Sequence, residues 1–197
     1  MFPVNAVTSE LQAIFEYLVR LRRPVARSLR LGLTGAEITE MMGDLPLTAP
    51  PELEAMYRWR DGTFVSEGLI LDDLHFFPGF YWLSLKDAIT TYRAFHGDRR
   101  WANSWFPVFA NGGGDFYVVS CPPVPAHSGE VIGFILGETD HPVEYQSLAT
   151  MLHTIRTCFA EGVFFVSAQG HLEADDLAHA RIAKRFNPDL PIYRELG

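Results

Sequence analysis

The segment Trp105–Cys121, WFPVFANGGGDFYVVSC, decides how the rest of the chain is read. Two apolar runs flank Asn111-Gly112-Gly113-Gly114-Asp115. Each run is rich in aromatic and β-branched side chains, which suit a pleated, packed surface. The glycine core tolerates positive φ at almost every position, as a tight reversal demands. The pattern predicts a β-hairpin at the centre of a sheet. Strict alternation places Phe106 and Val108 on one face and Trp105 and Phe109 on the other. Both faces are apolar, so both strands should be covered on both sides. A glycine-rich turn also invites a phosphate-binding reading. No Lys-Ser/Thr follows it, and a strand rather than a helix comes next. The dipole and aimed N–H groups of a phosphate loop are therefore missing. Asp115 is expected to cap the turn through backbone N–H groups; a metal-ligand or general-base role is the competing reading.

Working outward, the flanks read as helices. Ser9 with Gln12 forms a capping-box pattern, followed by Leu11, Ile14, Phe15 and Leu18 at helical spacing, with an end before Pro24. Arg20, Arg22, Arg23, Arg27 and Arg30 read as a solvated helix end, where cations suit the dipole, with a nucleic-acid arm as the alternative. Thr34 with Glu37 is a second box. A helix opens at Thr48 or Pro50 and runs through Trp59, with Asp61-Gly62 as its stop. Strands are predicted at about residues 64–71 and 75–83. Ser84 through Asp87 is a third box, before Leu85, Ala88, Ile89, Tyr92 and Phe95 on one helical face. Residues 131–136 read as a strand. Leu148, Met151, Leu152, Ile155 and Phe159 form the cleanest helical stripe. A short strand at 163–166 and a helix over about 173–186 complete the reading. Helices bracket a run of strands without βαβ alternation. That order predicts a single α+β domain over residues 1–197, with a mostly antiparallel central sheet surrounded by helices at both termini.

The chain has 197 residues, 48% of them hydrophobic, with 15 Phe, 7 Tyr and 4 Trp. That is enough for one domain with a large aromatic core. No run approaches the length of a membrane span, and the N-terminus has no secretory pattern, so a cytoplasmic location is expected. Cys121 and Cys158 are far apart in apolar patterns and are expected to be buried free thiols. Net charge is −8, and residues 61–150 hold eleven Asp/Glu against four Lys/Arg. Direct binding of nucleic acid is disfavoured, because phosphates demand a basic surface. A basic protein partner fits the charge better, though acidic surfaces also serve solubility alone.

Several stretches together resemble the SUKH superfamily, the Smi/Knr-like group of immunity proteins and cell-wall regulators. They are the Trp105–Cys121 hairpin closing on Gly114-Asp115; Leu45-Pro46 with Leu53, Tyr57, Trp59 and Asp61-Gly62; Leu83-Ser84-Leu85 with Ala88, Ile89 and Tyr92; and Ser147-Leu148 with Leu152. The resemblance covers about residues 35–165 and leaves 1–33 and 168–197 as helical additions. It implies a sheet with helices packed around it and a non-catalytic immunity protein that neutralises a basic toxin domain, possible nuclease toxins included. A regulator or scaffold on the same fold is the alternative.

Chemistry-bearing clusters are few. Asp72-Asp73-Leu74-His75 is the most metal-like, with Asp140-His141 and Glu144 as distant partners. On a strand, Asp72 and Asp73 face opposite ways, and His75 shares a face with Asp73 only. His96, His127, His153, His171 and His179 lack zinc spacing, and no Gly-x-Ser-x-Gly motif is present. No cofactor is implied, and an enzyme centred on Asp72 to His75 is the weakest reading. Partner contacts are expected from Asp61, Glu67, Asp72, Asp73 and Asp115, with Tyr81 or Trp82 as an aromatic anchor.

Overall fold

The computed structural model describes residues 4–123 and 129–194. His127 lies outside the described residues. The fold is α+β. Its central antiparallel sheet has the order β3-β4-β5-β6-β7, with β3 Tyr81–Trp82, β4 Trp105–Ala110, β5 Phe116–Ser120, β6 Val131–Phe134 and β7 Val143–Tyr145. The expected hairpin is β4 and β5, at the middle of the sheet.

Its register corrects one expectation. Phe106 pairs with Val119 and Phe109 with Tyr117, with a bulge between Pro107 and Phe109. The extra residue shifts the alternation, so Phe109 turns to the Phe106 face rather than the Trp105 face. Phe106, Phe109, Val119, Val131 and Tyr145 then join the main core. Val118, Ile132 and Phe134 face the other way, packed with Trp101, Phe95 and Trp105. Both sheet faces are covered, as the apolar pattern required.

The reversal is held by one side chain. Asn111 Oδ1 accepts hydrogen bonds from the Gly113 and Asp115 N–H groups, and Asn111 Nδ2 donates to Asp115 Oδ2. Gly112 and Gly114 take φ of 79° and 106°, a region costly for residues with a Cβ.

Helices cover the main face. They are α1 Val4–Arg20, α2 Gly35–Met42, α3 Pro51–Trp59, α4 Leu85–Phe95, α5 Leu148–Ala160 and α6 Asp176–Phe186. α1 begins before Ser9, so Ser9 and Gln12 lie inside it and form no cap. Its Leu11, Ile14 and Leu18 are fully buried, and the helix packs on α5 and α3. The Thr34–Glu37 box is present, with Thr34 Oγ1 accepting from the Glu37 N–H and Glu37 Oε2 from the Thr34 N–H. Ser84 Oγ likewise accepts from the Asp87 N–H at the start of α4. α5 carries the predicted stripe and is almost wholly buried.

Short pieces were harder to foresee. β1 Leu29–Leu31 pairs with β2 Arg60–Thr63, which follows α3 without a break. Gly62 (φ 66°) therefore sits within a strand rather than capping α3. A Cβ there would collide with the backbone of Leu83 and Ser84. β8 Phe164–Val166 and β9 Leu172–Ala174 form a hairpin, so α6 starts at Asp176 and not at 173. The strand predicted at 64–71 is absent. Asp73 accepts a hydrogen bond from the Ile70 N–H and closes a 3-10 turn over Leu71–Leu74. In the second predicted strand, Phe77 and Phe80 bridge across Pro78-Gly79, and only Tyr81 and Trp82 pair with β4.

Arg23 corrects the solvated reading of the arginine series. It is 5% exposed. Its guanidinium donates to the Gly170 carbonyl (2.6 Å) and to Asp72, at both its carbonyl and its carboxylate. Cys121 and Cys158 are free and buried, and burial pushes both thiols up to about 12. Among the described residues, no helix is long and apolar enough to cross a membrane.

Candidate functional site

Most acids expected to meet a partner are instead engaged inside the molecule. Asp61 is half-buried, and its Oδ1 accepts from the Leu85 N–H (2.7 Å) at the first turn of α4. Burial pushes its carboxyl up, against the Leu85 hydrogen bond and the Arg30 charge, and the charges of Asp87 and Glu37 add to the rise. Asp72 is paired with Arg23 and also accepts from the Leu172 N–H. Burial alone would raise its carboxyl, but hydrogen bonds from Arg23 and Leu172 outweigh it and leave the net shift downward. Asp73 closes its own turn. Asp115 Oδ1 accepts from the Leu136 N–H, tying the glycine turn to the end of β6. Glu67 is exposed on the loop after β2. Trp82 is fully buried against Trp59, Phe76 and Phe109, so it is not an exposed aromatic anchor.

The metal-like cluster is taken apart by the 3-10 turn. His75 lies against Asp72, Nδ1 to Oδ1 3.4 Å, rather than beside Asp73. Burial lowers its imidazole, and Asp72 opposes the shift. His141 packs against Phe134 instead, with its ring tilted to it, and Glu144 Oε2 accepts from the Tyr117 hydroxyl. Among the described residues, no group of three His, Cys, Asp or Glu side chains is placed to hold a metal ion.

What the fold does assemble is a cleft of about 370 Å³ between β3, α4 and the loop after β2. Trp82, Leu83 and Leu74 form its buried floor. Tyr81, half-buried, stands in its wall with Val65 and Leu71, which are 75% and 45% exposed. Ile70, beside Leu71, is also exposed. Such apolar surface is what a docking face leaves to water before it is covered. The rim is charged. Asp87 lines it, and Asp61 and Glu37 are close enough for their fields to act on one another. Arg30 is the cation lining it, its guanidinium 5.8 Å from the Phe64 ring centroid. Burial and then the Asp87 charge push the Tyr81 hydroxyl up, so it stays a protonated donor. Leu71 continues the apolar surface to the glycine turn, where a Cβ on Gly112 would lie 2.9 Å from Leu71 Cδ2.

Of the residues singled out in the sequence, Tyr81 and Trp82 line this cleft; Asp61 does not line it and acts on it only through its charge beside Asp87, Glu67 lies on the loop beside it, and Asp72, Asp73 and Asp115 hold backbone elsewhere. Asp87, Val65 and Leu71 were missed. Asp87 was absorbed into a capping box, and Val65 and Leu71 into a strand that does not form. The signal available was an apolar run broken by Ser66-Glu67-Gly68, which favours a loop.

A family description, SMI1 / KNR4 family (SUKH-1), matches residues 32–153, more than half of the chain. A search of curated proteins returned no match. The matched span holds the central sheet, α2, α3, α4 and the cleft apart from Arg30, and leaves out α1, β1, the end of α5 and all that follows.

Proposed function

Because the chain belongs to the SMI1 / KNR4 family (SUKH-1), we propose that it is a non-catalytic binding protein which neutralises a basic toxin domain by docking it on the Tyr81–Asp87 cleft. What supports the reading is the meeting of exposed apolar side chains, a half-buried tyrosine and a charged rim in one place. An arginine or lysine of the partner lays its aliphatic stem along Val65 and Leu71 and sets its charge against Asp87. Tyr81 supplies a rigid anchor with a polar tip. The acids at the rim speed encounter with a positively charged surface. Inhibition of this kind needs occupation of the partner's substrate-binding surface and no chemistry by the inhibitor.

The test is pull-down and calorimetry with the product of an adjacent toxin-like gene. Tyr81→Ala and Asp87→Lys should each weaken binding by roughly tenfold or more, as loss of a central anchor or a reversed rim charge does. Glu138→Lys with Asp140→Lys, the same kind of charge reversal away from the cleft, should leave most of the affinity in place. Equal loss from both sets would show that net charge alone matters. Undiminished binding by the cleft variants would refute the site.

A further inference from the structure

We infer that a second cleft, formed where α1 runs into the Pro24–Arg27 turn, binds a small organic phosphate carrying a flat apolar group, of the nucleoside monophosphate class. The cleft has a volume of about 700 Å³, within the range of small-molecule sites. Its charged lining is cationic: Arg22, Arg23 and Arg27, in a chain of net charge −8. Its remaining walls include Phe15, Val19 and Leu69.

The three arginines have different standing. Arg23 is fixed by Gly170 and Asp72, and its charge is balanced by Asp72. Its Nε is nevertheless buried without a hydrogen-bond partner among the described residues. Arg22 and Arg27 are exposed and have no salt bridge among the described residues, so their charges are not neutralised within the fold. Arg22 is also the one non-glycine residue with positive φ among those described (55°). That conformation ends α1 as a left-handed cap, the Arg22 N–H donating to the Val19 carbonyl and the Arg23 N–H to the Leu18 carbonyl, and so fixes where the chain leaves the helix at the cleft. Guanidinium groups bind phosphate through paired N–H donors and also stack on flat rings. Phe15 and the half-exposed Val19 give a base or similar ring an apolar surface. Two uncompensated cations match the charge of a phosphate monoester near neutral pH. The cleft is separate from the Tyr81–Asp87 cleft, and neither reading depends on the other.

The experiment is calorimetric titration of the full chain with AMP, adenosine, ribose 5-phosphate and inorganic phosphate, at low and moderate salt. AMP is expected to bind saturably at one site, more weakly as salt rises. Adenosine and inorganic phosphate should each bind at least roughly tenfold more weakly, because each lacks half of the recognised chemistry. Arg22→Gln with Arg27→Gln should weaken AMP roughly tenfold or more with no loss of thermal stability, since both side chains are exposed. Should that double variant unfold, Val19→Glu, at a half-exposed site on the same wall, should repel the phosphate and weaken AMP to a similar degree. No saturable binding by AMP, or AMP binding that these variants leave unchanged, overturns the site. Inorganic phosphate or ribose 5-phosphate binding as tightly as AMP overturns the flat-ring half of the assignment.

Discussion

Arg23→Met puts the internal wiring of this fold to its most direct test. The substitution keeps an unbranched stem and removes the guanidinium with its charge. It strands Asp72, whose side chain is 15% exposed, beside His75 and the Leu172 N–H. It also frees the Gly170 carbonyl in the β8–β9 turn. Breaking a buried pair from one side costs about 3–5 kcal/mol, because the remaining charge is uncompensated. At about 2–4 °C per kcal/mol for a chain of this size, the melting temperature should fall by roughly 6–20 °C. Asp72→Asn keeps hydrogen-bonding atoms but leaves the more deeply buried Arg23 charge unpaired, so it should carry a comparable cost. The double variant Arg23→Met/Asp72→Asn should be more stable than the sum of the two losses predicts, since it leaves no lone ion. Guanidinium unfolding at pH 7 measures all three. The pH dependence gives an independent reading. Asp72 has its folded-state carboxyl below the ordinary 3.8. Its contribution is therefore complete above the unfolded value and disappears as pH falls through the folded one. Arg23→Met should shrink that acid-side loss. A cost below about 1 kcal/mol, with strictly additive single losses, would mean the pair is no better than a surface contact, and the argument would fail.

Two other outcomes follow from buried groups. Burial raises the Glu144 carboxyl, opposed by the Tyr117 hydrogen bond. The folded state thus holds this proton better than the unfolded chain, so stability declines as pH rises through 4.5 towards the folded pKa and stays reduced above it. Glu144→Gln should accordingly raise the denaturant midpoint at pH 7 and leave it little changed near pH 4; a lower midpoint at pH 7 would contradict this. Cys121 and Cys158, with thiols near 12, should resist aromatic disulfide reagents at pH 8 in the native protein and react at the rate of unfolding. Immediate stoichiometric labelling under native conditions would refute their burial.

The sequence was most legible where local chemistry decides structure. The Thr34–Glu37 and Ser84–Asp87 caps, the glycine turn and the α5 stripe each depend on residues within a few positions of one another. The misses share a different cause. β1, β7 and β9 are three residues each, too short to show alternation, and exist only through their pairing partners. Residues 64–71 are apolar enough for a strand, but the Asp73-to-Ile70 hydrogen bond folds their end into a turn. Arg23 looked solvated because its partners, Asp72 and Gly170, lie 49 and 147 residues away. Of the candidate site, Tyr81 and Trp82 were legible as aromatics beside the acids, whereas the burial of Trp82 and the places of Asp87, Val65 and Leu71 were not. Whether an acid faces water or a backbone N–H is set by tertiary approach, which residue type does not reveal.

The span shared with the family stops part-way along α5 and begins after α1. Ile155 and Phe159 lie beyond that stop and, with Leu11, Ile14 and Leu18, belong to the layer over the main sheet face. Similarity and cohesion thus have different borders in this molecule. Anyone fusing or splitting the chain should place the cut in an exposed turn clear of both clefts, such as His96-Gly97. A cut at the limits of the shared span would lay the oily side of the sheet open to water and to its own kind.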